Sequence, residues 1–291
     1  MIDFLTLQDL DGTELHDILQ LALRLKKVTL THDLDGKTLA MLFAKTSTRT
    51  RVSFEVAMTQ LGGHAINLKW EDTNFVKGDF RDEAKVLGCY SDAVMARVPT
   101  HQQILDLARG CEKPVINGMD DIYHPCQALA DLLTILEVKK RFEGLEVAWV
   151  GDGTNVCNSL MIAADLTGME MRVATPSGFE PKVRTSATVL RDPLLAAKDA
   201  DVLVTDTWVS LGKESEKAIR LQALQPYQLN SRLLRVAKPD CIVLHCLPAQ
   251  RNYEITSEVL DSPQSRVFQE AENRLHTAKA LLLQLLSGNV L

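Results

Sequence analysis

The chain has 291 residues, 46% of them apolar and 24% charged, with a formal net charge of −6. That balance fits a soluble globular protein long enough for two domains. The acidic charge argues against the basic footprint of a nucleic-acid binder, and no apolar run reaches the ~20 residues that span a bilayer, so neither nucleic acid nor membrane is expected as a partner. The N-terminal stretch MIDFLTLQDLDG carries acids where a secretory leader carries basic residues, which predicts a cytoplasmic location. The six cysteines (Cys89, Cys111, Cys126, Cys157, Cys241 and Cys246) show no C-x-x-C and no zinc spacing, and read as core residues rather than disulfides or metal ligands.

Taken in order, the chain alternates helix and strand. Residues 13–27 place Leu15, Ile18, Leu19, Ala22 and Leu25 on one face of a helix ending in Lys26 and Lys27. An apolar run from Lys37 to Phe43 has strand length, and Val52 to Leu61 puts Phe54, Ala57, Met58 and Leu61 on one helical face. Between them, where the strand gives way to the helix, lies Ser47-Thr48-Arg49-Thr50-Arg51. His64 to Trp70 alternates as a strand does. Glu71 to Glu83 is polar, contains glycine, and reads as a mobile loop running into a helix. Asp92 to Val98 is a strand with Arg97 at its C-terminal end, His101 to Gly110 a helix closed by glycine, and Lys113 to Met119 a strand. His124-Pro125-Cys126-Gln127 then opens a helix through Leu136, with Pro125 suited to its first turn.

The pattern restarts after Glu143. Leu145 to Gly153 is a strand ending in a glycine turn, Asn155 to Leu166 a helix, and Met171 to Pro176 a strand. Asp199 to Trp208 and Asp240 to Ala249 are further strands, and Trp208 to Lys213 is a loop. The end, AENRLHTAKALLLQLL, is an amphipathic helix. This alternation predicts an α/β protein: two doubly wound parallel-sheet domains, divided near residues 135–143, with an interdomain active-site cleft and a C-terminal helix.

The polar clusters fall at the carboxyl ends of the predicted strands, where open α/β sheets bind ligands. In Ser47 to Arg51, hydroxyls and guanidiniums join the exposed N–H groups of a helix start, a combination suited to phosphate; the alternative is a capped, solvated helix start with Ser47 or Thr48 as N-cap. Arg97 alone is an ordinary surface charge, and gains meaning from Arg49, Arg51 and His124 beside it in the same half. His124 opens a helix, where the positive dipole end disfavours imidazolium, so it reads as a neutral donor to a carbonyl oxygen or as a cap. Gln127, three residues on, suits a carbamoyl-type amide or solvent. Gly151-Asp152-Gly153 lacks the third glycine of a dinucleotide fingerprint and the later acid for a ribose, which counts against NAD. Asn155 suits a carboxylate or a helix cap, and Asp206 a substrate ammonium or a loop cap. Adjacent strand residues face opposite ways, so His245 and Cys246 are not expected to pair with each other. Cys246 lines the cleft or packs in the core.

In this order these residues resemble the aspartate/ornithine carbamoyltransferase family. The motif S-T-R-T-R, HPCQALADLLT (His124 to Thr134) and HCLPA (His245 to Ala249) all match. DTWVSLG (Asp206 to Gly212) and EAENRLHTAKALLL (Glu270 to Leu283) look like its ornithine branch. The resemblance implies a carbamoyl phosphate-binding domain over 1–138 and an ornithine-binding domain over 139–291, with a helix of about 270–288 packing back on the first. It implies a homotrimer or a multiple of trimers, and no metal or organic cofactor. By position, Ser47, Thr48, Arg49 and Thr50 would hold phosphate. Arg97, His124 and Gln127 would contact the carbamoyl group, Arg97 reaching phosphate too. Cys246, Leu247 and Arg274 would complete the surroundings of the reacting groups, and Asn155, Asp206, Ser210 and Leu211 would bind ornithine. Arg49, Arg97, His124 and Cys246 are the expected catalytic groups.

The chain departs from the family pattern at Phe43-Ala44-Lys45-Thr46, where F-E-K-P is usual, in the Glu71 to Glu83 loop, and at Leu211, where methionine is usual. The expected reaction is transfer of the carbamoyl group of carbamoyl phosphate to the δ-amine of L-ornithine, giving L-citrulline and phosphate for arginine biosynthesis. The alternatives are another amine acceptor (putrescine or an acylated ornithine) and a non-catalytic carbamoyl phosphate-binding paralogue.

Overall fold

A computed structural model describes residues 3–209 and 213–287. The chain divides into two units, one of residues 1–133 with 272–291 and the other of residues 134–271. Among the described residues no helix is long and apolar enough to cross a membrane.

The first unit is a four-stranded parallel sheet of β1 (Thr38–Phe43), β2 (His64–Lys69), β3 (Ala93–Arg97) and β4 (Val115–Met119), in the order β2-β1-β3-β4. The connecting helices are α2 (Thr48–Gln60), α3 (Phe80–Tyr90) and α4 (His101–Gly110), with α1 (Gly12–Leu25) before the sheet and α5 (Pro125–Lys139) after it. β1 and β3 are buried along nearly their whole length, which is why they read as continuous apolar runs. Phe54, Ala57, Met58 and Leu61 are buried as their spacing predicts, and full burial of a large side chain such as Phe54 or Met58 stabilises by roughly 1.5–3 kcal/mol. The Glu71 to Glu83 segment holds two short 3₁₀ turns before α3. There Trp70, Phe75 and Phe80 gather with ring centroids 4.9–5.7 Å apart.

The second unit carries a five-stranded parallel sheet in the order β7-β6-β5-β8-β9. Its strands are β5 (Glu146–Val150), β6 (Glu170–Ala174), β7 (Thr188–Leu190), β8 (Val202–Thr205) and β9 (Ile242–His245). Around it lie α6 (Asn155–Thr167), α7 (Pro193–Ala197), α8 (Lys217–Leu224), α9 (Ser231–Val236) and α10 (Ser257–Leu260). The last described helix is α11 (Val267–Leu286), which starts four residues before the expected Ala271. The strands are shorter than the sequence suggests: β9 stops at His245 and β5 at Val150, so the motif residues beyond them are loop. β7 and α7–α10 were not expected from the sequence. They are three to eight residues long, too short for periodicity to show.

In both sheets the strand order reverses once, between β1 and β3 and between β5 and β8. Such reversals open a crevice at the carboxyl ends of the two strands. The loop leaving β1 carries Ser47, and the carboxyl end of β3 carries Arg97, to one of these places. The start of α6, after β5, carries Asn155 and the loop leaving β8 carries Asp206 to the other.

Candidate active site

In the first unit the S-T-R-T-R stretch begins α2, with Ser47 in extended conformation at the N-cap and no acid in the first turn. The Ser47 side chain makes no capping bond to the helix; its hydroxyl instead accepts from Arg97 Nη1 at 3.1 Å. Register explains the meeting, because Arg97 pairs with Phe43 across the two central strands. The peptide of Ala44 joins the same corner, its N–H donating to the Arg97 carbonyl at 2.9 Å. Thr50 is buried and its hydroxyl accepts from Arg274 Nη2 at 3.1 Å. Arg49 is half-buried, and its charge lies near enough to His124 to disfavour imidazolium. Arg51 departs from the sequence reading: it is exposed and pairs with Glu55 one helical turn on, at 3.5 Å. That contact is worth little in solvent.

His124 precedes Pro125, and its carbonyl accepts from Gln127 N and Ala128 N as α5 begins. Its loop is fixed by Asp120, a buried acid that the sequence reading passed over. Asp120 Oδ1 accepts from Ile122 N and Tyr123 N, and its Oδ2 from Asn117 Nδ2 at 2.8 Å while meeting His101 Nδ1 at 2.7 Å. Burial drives the His124 pKa well below the ordinary imidazole value, and Arg274, Arg97 and Arg49 push it further the same way. The ring is therefore neutral at physiological pH and keeps one N–H to donate. Gln127 is buried, with its amide nitrogen donating to Asp131 at 2.8 Å and its oxygen accepting from Arg274 Nη1 at 2.7 Å. So Arg274, from the last helix, joins Thr50 and Gln127 across 224 and 147 residues of sequence.

In the second unit Asp206 follows β8 directly and is buried. One carboxylate oxygen accepts from Thr154 Oγ1 at 2.9 Å, the other from Thr207 N at 2.7 Å and from the Cys246 thiol at 3.0 Å. Asn155 is half-buried at the first position of α6, next to Thr154. Cys246 and Leu247 lie just beyond β9, both half-buried. As expected, Cys246 does not pair with His245, which turns inward to Glu254. Ser210 and Leu211 lie outside the described residues.

The sequence reading missed the pair that ties these loops together. Arg220 on α8 is buried and ion-pairs with Asp152 in the turn after β5. It also donates to the Trp208 carbonyl at 2.6 Å, and its guanidinium sits 5.0 Å from the Phe179 ring centre. The Glu216–Arg220 spacing, one helical turn apart at 3.1 Å, was the one available signal. The glycine turn also has a packing reason. A Cβ on Gly153 would lie 2.7 Å from the Glu180 carbonyl carbon and 2.8 Å from the Phe179 oxygen, so the residue lets another backbone segment pass close by. Among the described residues no group of three or more His, Cys, Asp or Glu is placed to hold a metal ion.

A basic cluster around a neutral imidazole in one unit, and a buried acid beside a thiol in the other, each lie at the switch point of a parallel sheet, where α/β folds bind their ligands. Comparison with known proteins identifies the family. Residues 3–137 match the carbamoyl-P binding domain, and residues 143–285 the Asp/Orn binding domain, of aspartate/ornithine carbamoyltransferase. The chain belongs to the aspartate/ornithine carbamoyltransferase family. It is 49% identical over 300 residues to an ornithine carbamoyltransferase of Archaeoglobus fulgidus, covering 98% of each chain. It is 48% identical over 304 residues to the anabolic ornithine carbamoyltransferase of Pyrococcus furiosus, covering 98% of this chain and 96% of that one. A solved ornithine carbamoyltransferase from Pyrococcus furiosus superposes with a TM-score of 0.95 at 47% identity, over 100% of this chain and 98% of the other.

Proposed function

We propose that the protein transfers the carbamoyl group of carbamoyl phosphate to the δ-amine of L-ornithine, giving L-citrulline and phosphate in arginine biosynthesis. The observation that carries this reading is the gathering of Thr50, Gln127 and Arg274 with the neutral, buried His124 and its arginine neighbours at one corner of a parallel sheet. In this reading residues 1–138 form the carbamoyl phosphate-binding domain and residues 139–291 the ornithine-binding domain, with the helix of about 270–288 serving the first.

Ser47, Thr48, Arg49 and Thr50 hold the phosphate, and Arg97 bridges phosphate and carbonyl oxygens. His124, being neutral, donates to the carbonyl oxygen without repelling the surrounding guanidiniums. Gln127 contacts the carbamoyl group, with Arg274, Cys246 and Leu247 completing its surroundings. Asp206 takes the α-ammonium of ornithine, Asn155 its α-carboxylate, and Ser210 and Leu211 line the same subsite. The neutral δ-amine attacks the carbamoyl carbon. Arg49, Arg97 and His124 stabilise the charge growing on the carbonyl oxygen, the bond from carbon to the phosphate oxygen breaks, and the amine's proton leaves with phosphate. Cys246 acts beside Asp206, its thiol already donating to that carboxylate.

The relatives' names support the acceptor, and the word anabolic in one of them supports the biosynthetic direction. We place the protein in the cytoplasm as a homotrimer or a multiple of trimers, on the strength of the family resemblance. The test is to incubate the protein with carbamoyl phosphate and ornithine and to measure ureido product and phosphate together. One citrulline per phosphate supports the reading; binding of carbamoyl phosphate with no ureido product refutes it.

A further inference from the structure

His245 and Glu254 are both fully buried in the second unit, and the proposed chemistry gives neither a task. His245 closes β9, where its backbone N–H donates to Glu270 Oε2 at 2.8 Å. Its ring is used at both nitrogens. The N–H of Leu247, two residues on, points at Nδ1 from 2.9 Å, and Nε2 lies 3.1 Å from Glu254 Oε1. A backbone N–H can only donate, so Nδ1 must carry a lone pair, and the ring proton sits on Nε2, facing the carboxylate. The same carboxylate oxygen also accepts from Gln250 N, so Glu254 holds two points of the segment that follows β9. Glu254 is itself fixed through its backbone, its carbonyl accepting from Leu229 N at 2.8 Å.

The held segment needs holding. Leu247 has φ of +55°, a left-handed conformation that a branched residue without a local partner disfavours. Its neighbour Cys246 is the residue whose thiol meets Asp206 at 3.0 Å. A ring with both nitrogens engaged and no exposed surface cannot take a proton from substrate. What it can do is set the peptide between Cys246 and Leu247. We propose that His245, locked as its Nε2–H tautomer by Glu254, is a positioning residue: through the Leu247 N–H it fixes the turn that places Cys246 on Asp206. For catalysis this rests on the reading that Asp206 and Cys246 serve the amine acceptor.

The test has arms with and without activity. Long-range proton–nitrogen spectra of histidine-labelled protein, assigned with His245→Asn, should show a bare Nδ1 and a protonated Nε2; a protonated Nδ1 overturns the proposal. Asparagine can return an acceptor oxygen near the Nδ1 position, whereas glutamine reaches only toward Nε2. Alkylation of Cys246, followed by mass spectrometry of its peptide, should quicken roughly threefold or more in His245→Gln and return toward wild type in His245→Asn. Equal rates in all three proteins overturn the proposal. In the ornithine assay, His245→Gln should raise the ornithine KM about tenfold and the carbamoyl phosphate KM, to whose site Cys246 and Leu247 also contribute, by about threefold or less, and His245→Asn should recover most of the loss. A parallel rise in both KM values, or no rescue, overturns it. If the wild type makes no citrulline, the functional reading fails, and the spectra and alkylation still decide the positioning role.

Discussion

Replacing Arg220 by methionine removes the charge but keeps most of the side chain's length. It strands Asp152, whose side chain is 8% exposed, and leaves the Trp208 carbonyl without its donor. Breaking one partner out of a buried ion pair costs about 3–5 kcal/mol. The contact to Glu216 adds less than about 1 kcal/mol, because that side chain is 55% exposed. The lost guanidinium at 5.0 Å from the Phe179 ring adds about 1 kcal/mol. At 2–4 °C per kcal/mol for a unit of this size, the melting temperature should fall by roughly 8–28 °C.

The pH dependence has a definite sign. Burial already holds the Asp152 carboxyl above its ordinary value, against the pull of Arg220 and Lys213. A carboxyl raised in the folded state contributes most below its unfolded value of about 3.9 and loses that contribution as pH rises through the folded value. Without Arg220 the Asp152 pKa climbs further, so the deficit of Arg220→Met should deepen from about pH 5 to pH 8. Adding Asp152→Asn removes the stranded charge and should recover about 2 kcal/mol. Circular-dichroism melts of the wild type, both single variants and the double variant at the two pH values measure all of this. A fall of less than about 2 °C, a deficit that does not change with pH, or a double variant no better than Arg220→Met would refute the reasoning.

Two further outcomes follow from the basic cluster. Arg49→Ala should lower turnover by about a hundredfold or more while the ornithine KM moves less than about threefold; near-normal turnover at saturating substrates would remove Arg49 from the phosphate site. The His124 imidazole should show no titration by NMR between about pH 8 and 6, since its unfolded value is about 6.5 and burial holds the folded value well below. Stability from this group is present above about pH 6.5 and lost as pH falls, and Arg274→Gln should move the His124 pKa up, though not to the ordinary value because burial remains the larger cause. An ordinary titration of His124 in the wild type would sink the neutral-donor role.

Much of the fold was legible because β1, β3, β5 and β8 are buried strands that read as apolar runs, and because Phe54, Ala57 and Met58 keep helical spacing. Ser47, Arg97, His124 and Asp206 were legible because they fall at the carboxyl ends of strands: Arg97 closes β3, Asp206 follows β8, and Ser47 and His124 open the helices after β1 and β4. Arg274 is different. Its partners Gln127 and Thr50 lie far off in sequence, so its chemistry entered only through a resemblance. Arg220 stayed hidden because α8 is eight residues long and its neighbours are short, so no element drew attention to the stretch. Arg51 was misread because residue type does not reveal which side of the first turn a guanidinium leaves by; here it leaves toward Glu55. His245 was correctly separated from Cys246, but its bonds to Glu254 and Leu247 depend on how the chain turns after β9 ends.

The central claim is the acceptor, and its most direct test is kcat/KM for carbamoyl transfer measured side by side with ornithine, putrescine and N-acetylornithine. In the proposed reading the buried Asp206 meets the α-ammonium, which N-acetylornithine lacks, and Asn155 the α-carboxylate, which putrescine lacks, so ornithine should exceed both others by at least about a hundredfold. Transfer to putrescine or N-acetylornithine with ornithine inactive would contradict the account.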